Sequence, residues 1–358
     1  MGPFPRPSLL VLAAAAPAKP NPKAVEAARA AALAIADQFV IPAYRALLQA
    51  TEAQEKAWAA FAAKRESGDV QPLREAYGAA ADAWANAQFI KTGPITLFLR
   101  YDRFDYWPEA RNATARALDA LLAANDPKDL TPESLAHDNV AGQGLTALER
   151  LLYDERAEAL LKAAGKEGVW RAQVGLGIAR NLRTIAADVL KDWTAPDGVR
   201  AMIAANRGWK SLFADGPEAA RLLLTDLVAG FKLMHDVKLL PVLGESADVA
   251  KPKSAEGWRS GRSQRDLKLN LTAAQAMVKA LGNAVTPAHR TRTDALFASA
   301  AKAIDAMPAD MGEAAADPKR RPRVDAARAA IKATQTAIAA TIPADIGVTL
   351  GFNSLDGD

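Results

Sequence analysis

Gly142-Gln-Gly-Leu-Thr-Ala-Leu-Glu-Arg-Leu-Leu-Tyr153 is an apolar helical stretch with one acid, Glu149, near its middle. Leu145, Leu148, Leu151 and Leu152 recur at helical spacing and mark the face that turns inward. Glu149 follows Leu148 directly, so its carboxylate sits at the edge of that buried stripe. An unpaired charge removed from water is costly, so the acid needs a partner. Either an arginine or a metal would serve, and the two imply different functions.

The rest of the chain repeats the helical theme. Its 358 residues are 50% hydrophobic and 24% charged, an ordinary globular balance that suits two domains or one large helical one. Alanine dominates and aromatics make up only 6%. Small side chains of high helix propensity favour an all-α fold with close helix contacts. The expected plan is a leader over residues 1–21, an N-terminal bundle over 22–197 that carries Gly144 and Glu149, a C-terminal bundle over 198–343, and an ordered tail over 344–358. The turn Pro196-Asp197-Gly198 marks the division.

Within that plan Lys23 to Arg65 reads as one helical pattern that Pro42 should kink or split. Val70 to Ile90, Val169 to Trp193 and the helix opened by Pro217 follow, and Pro343 is expected to stop the last helix. Val174-Gly-Leu-Gly lies inside a helical pattern with no strand before it, so its glycines read as close helix contacts and not as a dinucleotide fingerprint.

Several functions are excluded. The net charge is +4, with lysines and arginines interleaved among acids, so there is no basic arm for nucleic acid. Without cysteine there is no disulfide, thiolate metal site, cysteine nucleophile or lipoprotein anchor. The chain has no phosphate loop, zincin histidine pair or nucleophile elbow. Its three histidines, His137, His235 and His289, are far apart. Ser8 to Ala16 behind Arg6, followed by Pro17-Ala18, resembles a short secretory signal, the alternative being an Ala/Pro leader. No later stretch reads as long and charge-free enough to span a membrane.

Two polar insertions break the helical pattern. Arg100-Tyr-Asp-Arg-Phe-Asp-Tyr-Trp-Pro-Glu109 suits a loop packed over a pocket that offers Arg100 or Arg103 to an anion, or else an aromatic plug that closes a bundle. Lys251 to Ser263 again combines a tryptophan, Trp258, with arginines. His235, on a strongly apolar helix, reads first as a hydrogen-bonded core residue and second as a ligand.

Gly144-Leu-Thr-Ala-Leu-Glu149 followed by Arg-Leu-Leu-Tyr resembles the signature of the imelysin family, in which Gly-x-His-x-x-Glu precedes a leucine pair. Gly93-Pro94, Arg103 with Tyr106-Trp107-Pro108, His235-Asp236 before Pro241 and Gly244, Trp258-Arg-Ser-Gly261 and the final Gly351 to Asp358 are similar to its predicted-lipoprotein branch. The resemblance implies two helical bundles, export to the periplasm and a link to iron uptake, with a peptidase label attached to the family's histidine and glutamate. Here Thr146 replaces that histidine, and threonine supplies no imidazole ligand. The expectation is therefore a non-catalytic binding or accessory protein. Its polar pocket is formed by Glu149, Thr146, Arg100, Arg103, Trp107, His235, Trp258, Arg259 and Ser260. That pocket would take a small anionic ligand, chelated iron or an envelope iron-uptake partner. The alternative is a metal-dependent hydrolase in which Glu149, with His235 reaching it through space, holds iron or another divalent ion.

Overall fold

The computed structural model describes residues 21–65 and 67–350. The expected leader cleavage zone before Asn21 and the tail motif from Gly351 onward lie outside the described residues. Asn21 caps the first helix by accepting from the Lys23 N–H at 3.0 Å, with Pro22 just inside it. Helix α1 (Pro22–Ile35) then continues through one π-helical stretch, Ala36–Val40, into α2 (Ile41–Ala63). The expected break at Pro42 does not occur. The wider turn, in which Ile41 donates to the Ala36 carbonyl, accommodates the ring and the missing N–H without ending the helix.

Pro22–Ala63 is long and apolar enough to cross a membrane by length and composition, though charged residues such as Arg29, Asp37 and Arg45 interrupt its apolar run. Half of its apolar window is buried inside the protein, as suits a core helix.

Helix α2 packs against α3 (Gln71–Ala87) and, further along the chain, against α9 (Lys166–Thr194). The shorter helices α4 (Arg100–Phe104), α5 (Ala113–Ala124), α6 (Pro132–Leu135), α7 (Leu145–Tyr153) and α8 (Ala157–Lys162) lie between α3 and α9 in sequence. Gly175 and Gly177 are the close contacts the sequence suggests. A Cβ on Gly175 would fall 2.2 Å from the Trp58 ring, and one on Gly177 2.8 Å from Leu130 Cβ.

After α10 (Val199–Ala204), α11 (Gly216–Lys232) begins at a full capping arrangement. Asp215 accepts from the Glu218 N–H at 2.8 Å, and Glu218 reaches back to the Ala214 N–H at 2.8 Å. This helix too passes through a π-helical stretch, Leu233–Leu239, before a proline in α12 (Leu240–Leu243). Helices α13 (Ser263–Ala280), α14 (Pro287–Ala306), α15 (Met311–Ala316) and α16 (Arg321–Ile346) complete the order.

Helix α16 packs on both α11 and α14, while α1 against α11 and α3 against α13 join the two halves. The buried apolar residues form one continuous core across residue 197. Pro343 lies inside α16 and does not stop it, although the helix ends within one turn of it. The helix ends at Gly347, whose φ of 78° is the left-handed geometry of a glycine cap. Val348 and Leu350 pack against the core.

Candidate functional site

Helix α7 starts at Leu145, three residues later than the opening stretch suggests, with Gly144 as its cap. A Cβ on Gly144 would lie 2.8 Å from the Phe104 carbonyl oxygen, so only glycine lets α7 press against the end of α4. That approach brings Thr146 to Asp105. The threonine hydroxyl donates to Asp105 Oδ1 at 2.8 Å, and Trp84 Nε1 donates to Oδ2 at 3.1 Å. Where the resembled signature has a histidine, this chain has a hydroxyl that fixes a second carboxylate.

Glu149, one turn on, is 3% exposed. No arginine among the described residues pairs with it. Oε1 accepts from the Ser260 backbone N–H at 3.0 Å and from the Ser260 hydroxyl at 2.6 Å. Arg259, the arginine beside it, spends its Nε on Asp154 Oδ1 at 2.6 Å and lies 4.3 Å from the Trp258 ring centre. Burial pushes the Glu149 carboxyl above its ordinary 4.5, against the opposing pull of the Ser260 bonds and the Arg259 charge.

These groups line a cavity of about 400 Å³. Its wall carries five carboxylates, Asp105, Glu109, Glu149, Glu256 and Asp266, against the cations Arg150, Lys253 and Arg259. Most of the acids are answered locally. Arg150 meets Glu109 at 3.4 Å and Asp154 at 3.0 Å. Buried Lys238 pairs with Glu256 and also donates to Gln88 Oε1 and Asn270 Oδ1 at 2.7 and 2.6 Å. Arg262 joins Asp266 at 2.9 Å to Asp82. Asp105 and Glu149 have no ion-pair partner among the described residues. Burial, seconded by the Glu256 charge, raises Asp105 to about 7, and burial raises Asp266 to about 7 against the pull of Arg262.

Trp107, Trp258, Arg259, Thr146 and Glu149 thus meet at one cavity, with Ser260 behind Glu149. Arg100, Arg103 and His235 do not line it. Arg100 bonds Asp192 at 2.8 Å and Asp188 at 3.4 Å on α9. Arg103 bonds Gln143 at 3.0 Å and Asn181 at 2.8 Å. Both arginines tie the insertion to the bundle instead of facing a ligand. His235, 2% exposed, turns Nδ1 to Asp236 and Nε2 to Gln335, each at 2.7 Å. It cannot reach Glu149 as a second ligand without giving up one of these bonds.

Among the described residues no group of three or more histidine, aspartate or glutamate side chains could hold a metal ion, so the donors present do not fit the ion that the family label implies. Tyr77, Asp105, Glu256 and Asp266 are wall residues that sequence reasoning missed. Asp105 alone carried a signal, as the acid inside the aromatic run from Phe104 to Trp107.

The fold closely matches two solved structures. An imelysin-like protein from Psychrobacter arcticum 273-4 aligns with a TM-score of 0.73 at 21% identity, covering 92% of this chain and 98% of that one. A protein from Parabacteroides distasonis ATCC 8503, provisionally named iron-regulated protein A precursor, aligns with a TM-score of 0.72 at 15% identity, covering 92% and 97%. No curated protein matches the chain. The family model Imelysin (peptidase M75) matches residues 40–338. By that match, the chain belongs to the imelysin family.

Proposed function

We propose that this protein is an exported, non-catalytic binding component of the cell envelope, linked to iron acquisition, whose ligand occupies the cavity above Glu149. The observation that carries this reading is the Ser260 clamp. It holds Glu149 by one oxygen at the wall of a cavity of ligand size, with Thr146 turned away to Asp105. Activating water on a metal needs firm ligands and an open position, and the donors around Glu149 do not provide them.

Export is supported by the leader pattern and by the word precursor in the name of the Parabacteroides distasonis protein; that protein's name also supports the iron link. The small anionic ligand suggested by Arg100 and Arg103 loses its support, because both arginines are engaged outside the cavity. The test is native mass spectrometry of protein taken from the periplasm. The expected result is a small molecule or iron chelate retained at one per chain and lost in Glu149→Ala. Metal-dependent peptide hydrolysis abolished by the same substitution would overturn the reading.

A further inference from the structure

Three acceptors at the cavity wall have no donor among the described residues. Glu149 uses Oε1 for both Ser260 bonds and leaves Oε2 free. Asp266 receives Arg262 on Oδ1 and leaves Oδ2 free. The Tyr77 hydroxyl, in a residue only 4% exposed, makes no hydrogen bond at all. Tyr77, Glu149 and Asp266 line the same cavity, and burial with the charges of nearby acids holds the Tyr77 phenol well above its ordinary value. None of the three is sealed away from the cavity, so each is open to a donor placed inside it, and three such acceptors on one wall suit a ligand that donates.

The missing donor is specified by what surrounds it. The carboxylates outnumber the cations in the wall, and the cations are engaged or peripheral: Arg150 and Arg259 are paired with acids, and Lys253 is exposed at the rim, 5.4 Å from the Trp258 ring centre. A bare metal ion does not fit the spacing of the acids. A primary ammonium does fit the count, because it offers three N–H donors and no acceptor. Trp107, Trp258, Val237 and Pro241 supply an apolar and aromatic wall beside the acids, suited to a hydrocarbon stem and to a cation near an indole face.

We propose that the cavity seats the primary ammonium group of an amine-bearing ligand on Tyr77, Glu149 and Asp266, with the hydrocarbon that carries it lying against Trp107 and Trp258. The assignment rests on the reading of the cavity as a ligand site and adds the chemical class of the ligand.

Hexylamine, hexanol and hexanoate, titrated calorimetrically into the full chain at pH 8, test it. The amine is expected to bind at one per chain, with the other two weaker by about tenfold or more, the scale of a charged hydrogen bond. Glu149→Gln and Tyr77→Phe, both close in shape to the native residue, are expected to weaken the amine by about tenfold and about threefold while the thermal transition stays cooperative. Absence of amine binding, equal binding of hexanoate, or amine affinity unchanged in Glu149→Gln would overturn the assignment, as would stoichiometric displacement of hexylamine by zinc. If hexanoate binds and Trp258→Ala removes it, the cavity remains a ligand site and only the cation falls. If no probe binds and protein from the periplasm carries nothing, the binding reading falls as well.

Discussion

Glu149 and His235 are both buried ionisable residues on helices, and both lie in segments that the family resemblance singles out. Their surroundings differ in one respect. His235 is closed on both ring nitrogens, by Asp236 and Gln335, and Gln335 is itself held at the Val228 carbonyl. Glu149 is closed on one oxygen only, and the other faces a cavity. Burial alone therefore does not mark a site. What separates the two centres is an incomplete set of hydrogen bonds next to open volume.

The sharpest way to break this comparison is to restore the family's histidine. In Thr146→His the imidazole would stand one turn from Glu149 and next to Asp105, giving the three donors that the native wall lacks. We expect a transition metal to bind at one equivalent, from none in the parent, read by equilibrium dialysis with metal analysis. Equal binding by the parent would mean that the native acids already form a metal site.

His235→Leu should act on stability and leave the cavity alone. It removes an imidazole from a closed contact and strands the Gln335 carbonyl, so unfolding free energy should fall by about 2–3 kcal/mol in urea titration. Ligand binding by the folded fraction should not change. A change in ligand affinity would show that the two centres are coupled through the stretch that also carries Lys238.

Ser260→Ala is expected to cost about 1 kcal/mol, since one of the two bonds to Glu149 is backbone and survives. Its larger mark should be on ligand affinity, as the carboxylate loses the hydroxyl that fixes its orientation.

Much of the fold is legible along the chain because helix formation is local. The stripe of Leu145, Leu148, Leu151 and Leu152 is buried, and Gly175 and Gly177 do meet facing side chains. Pro42 misleads because its effect depends on whether the preceding turn can widen, which the tertiary packing decides. The site is less legible for a similar reason. Glu149 and Ser260 are 111 positions apart, and no pattern in either segment specifies that they meet. Arg100 and Arg103 look available in sequence, and only the position of α9 and Gln143 shows that they are not. Ser260 was in view as a pocket residue, but a serine pairing with a buried acid leaves no periodic signal.

The smallest effect carries the finest distinction. Were Glu149 half of a buried ion pair, removing its charge would cost roughly 3–5 kcal/mol. Held instead by a serine, the carboxyl has a folded-state pKa above its ordinary 4.5 because burial outweighs the Ser260 bonds. Between 4.5 and that raised value the folded chain holds a proton that the unfolded chain has lost. Stability from this group is therefore fully present below pH 4.5 and is lost as pH rises through the folded value. Asp105 acts in the same direction between 3.8 and about 7. Glu149→Gln keeps an acceptor for Ser260 and removes the buried charge. In the unliganded protein it should lie within about 1 kcal/mol of the parent at pH 5, and match or exceed it at pH 8. Urea midpoints of variant and parent at the two pH values check the sign, and a variant that falls further below the parent as pH rises would restore an ion pair to Glu149.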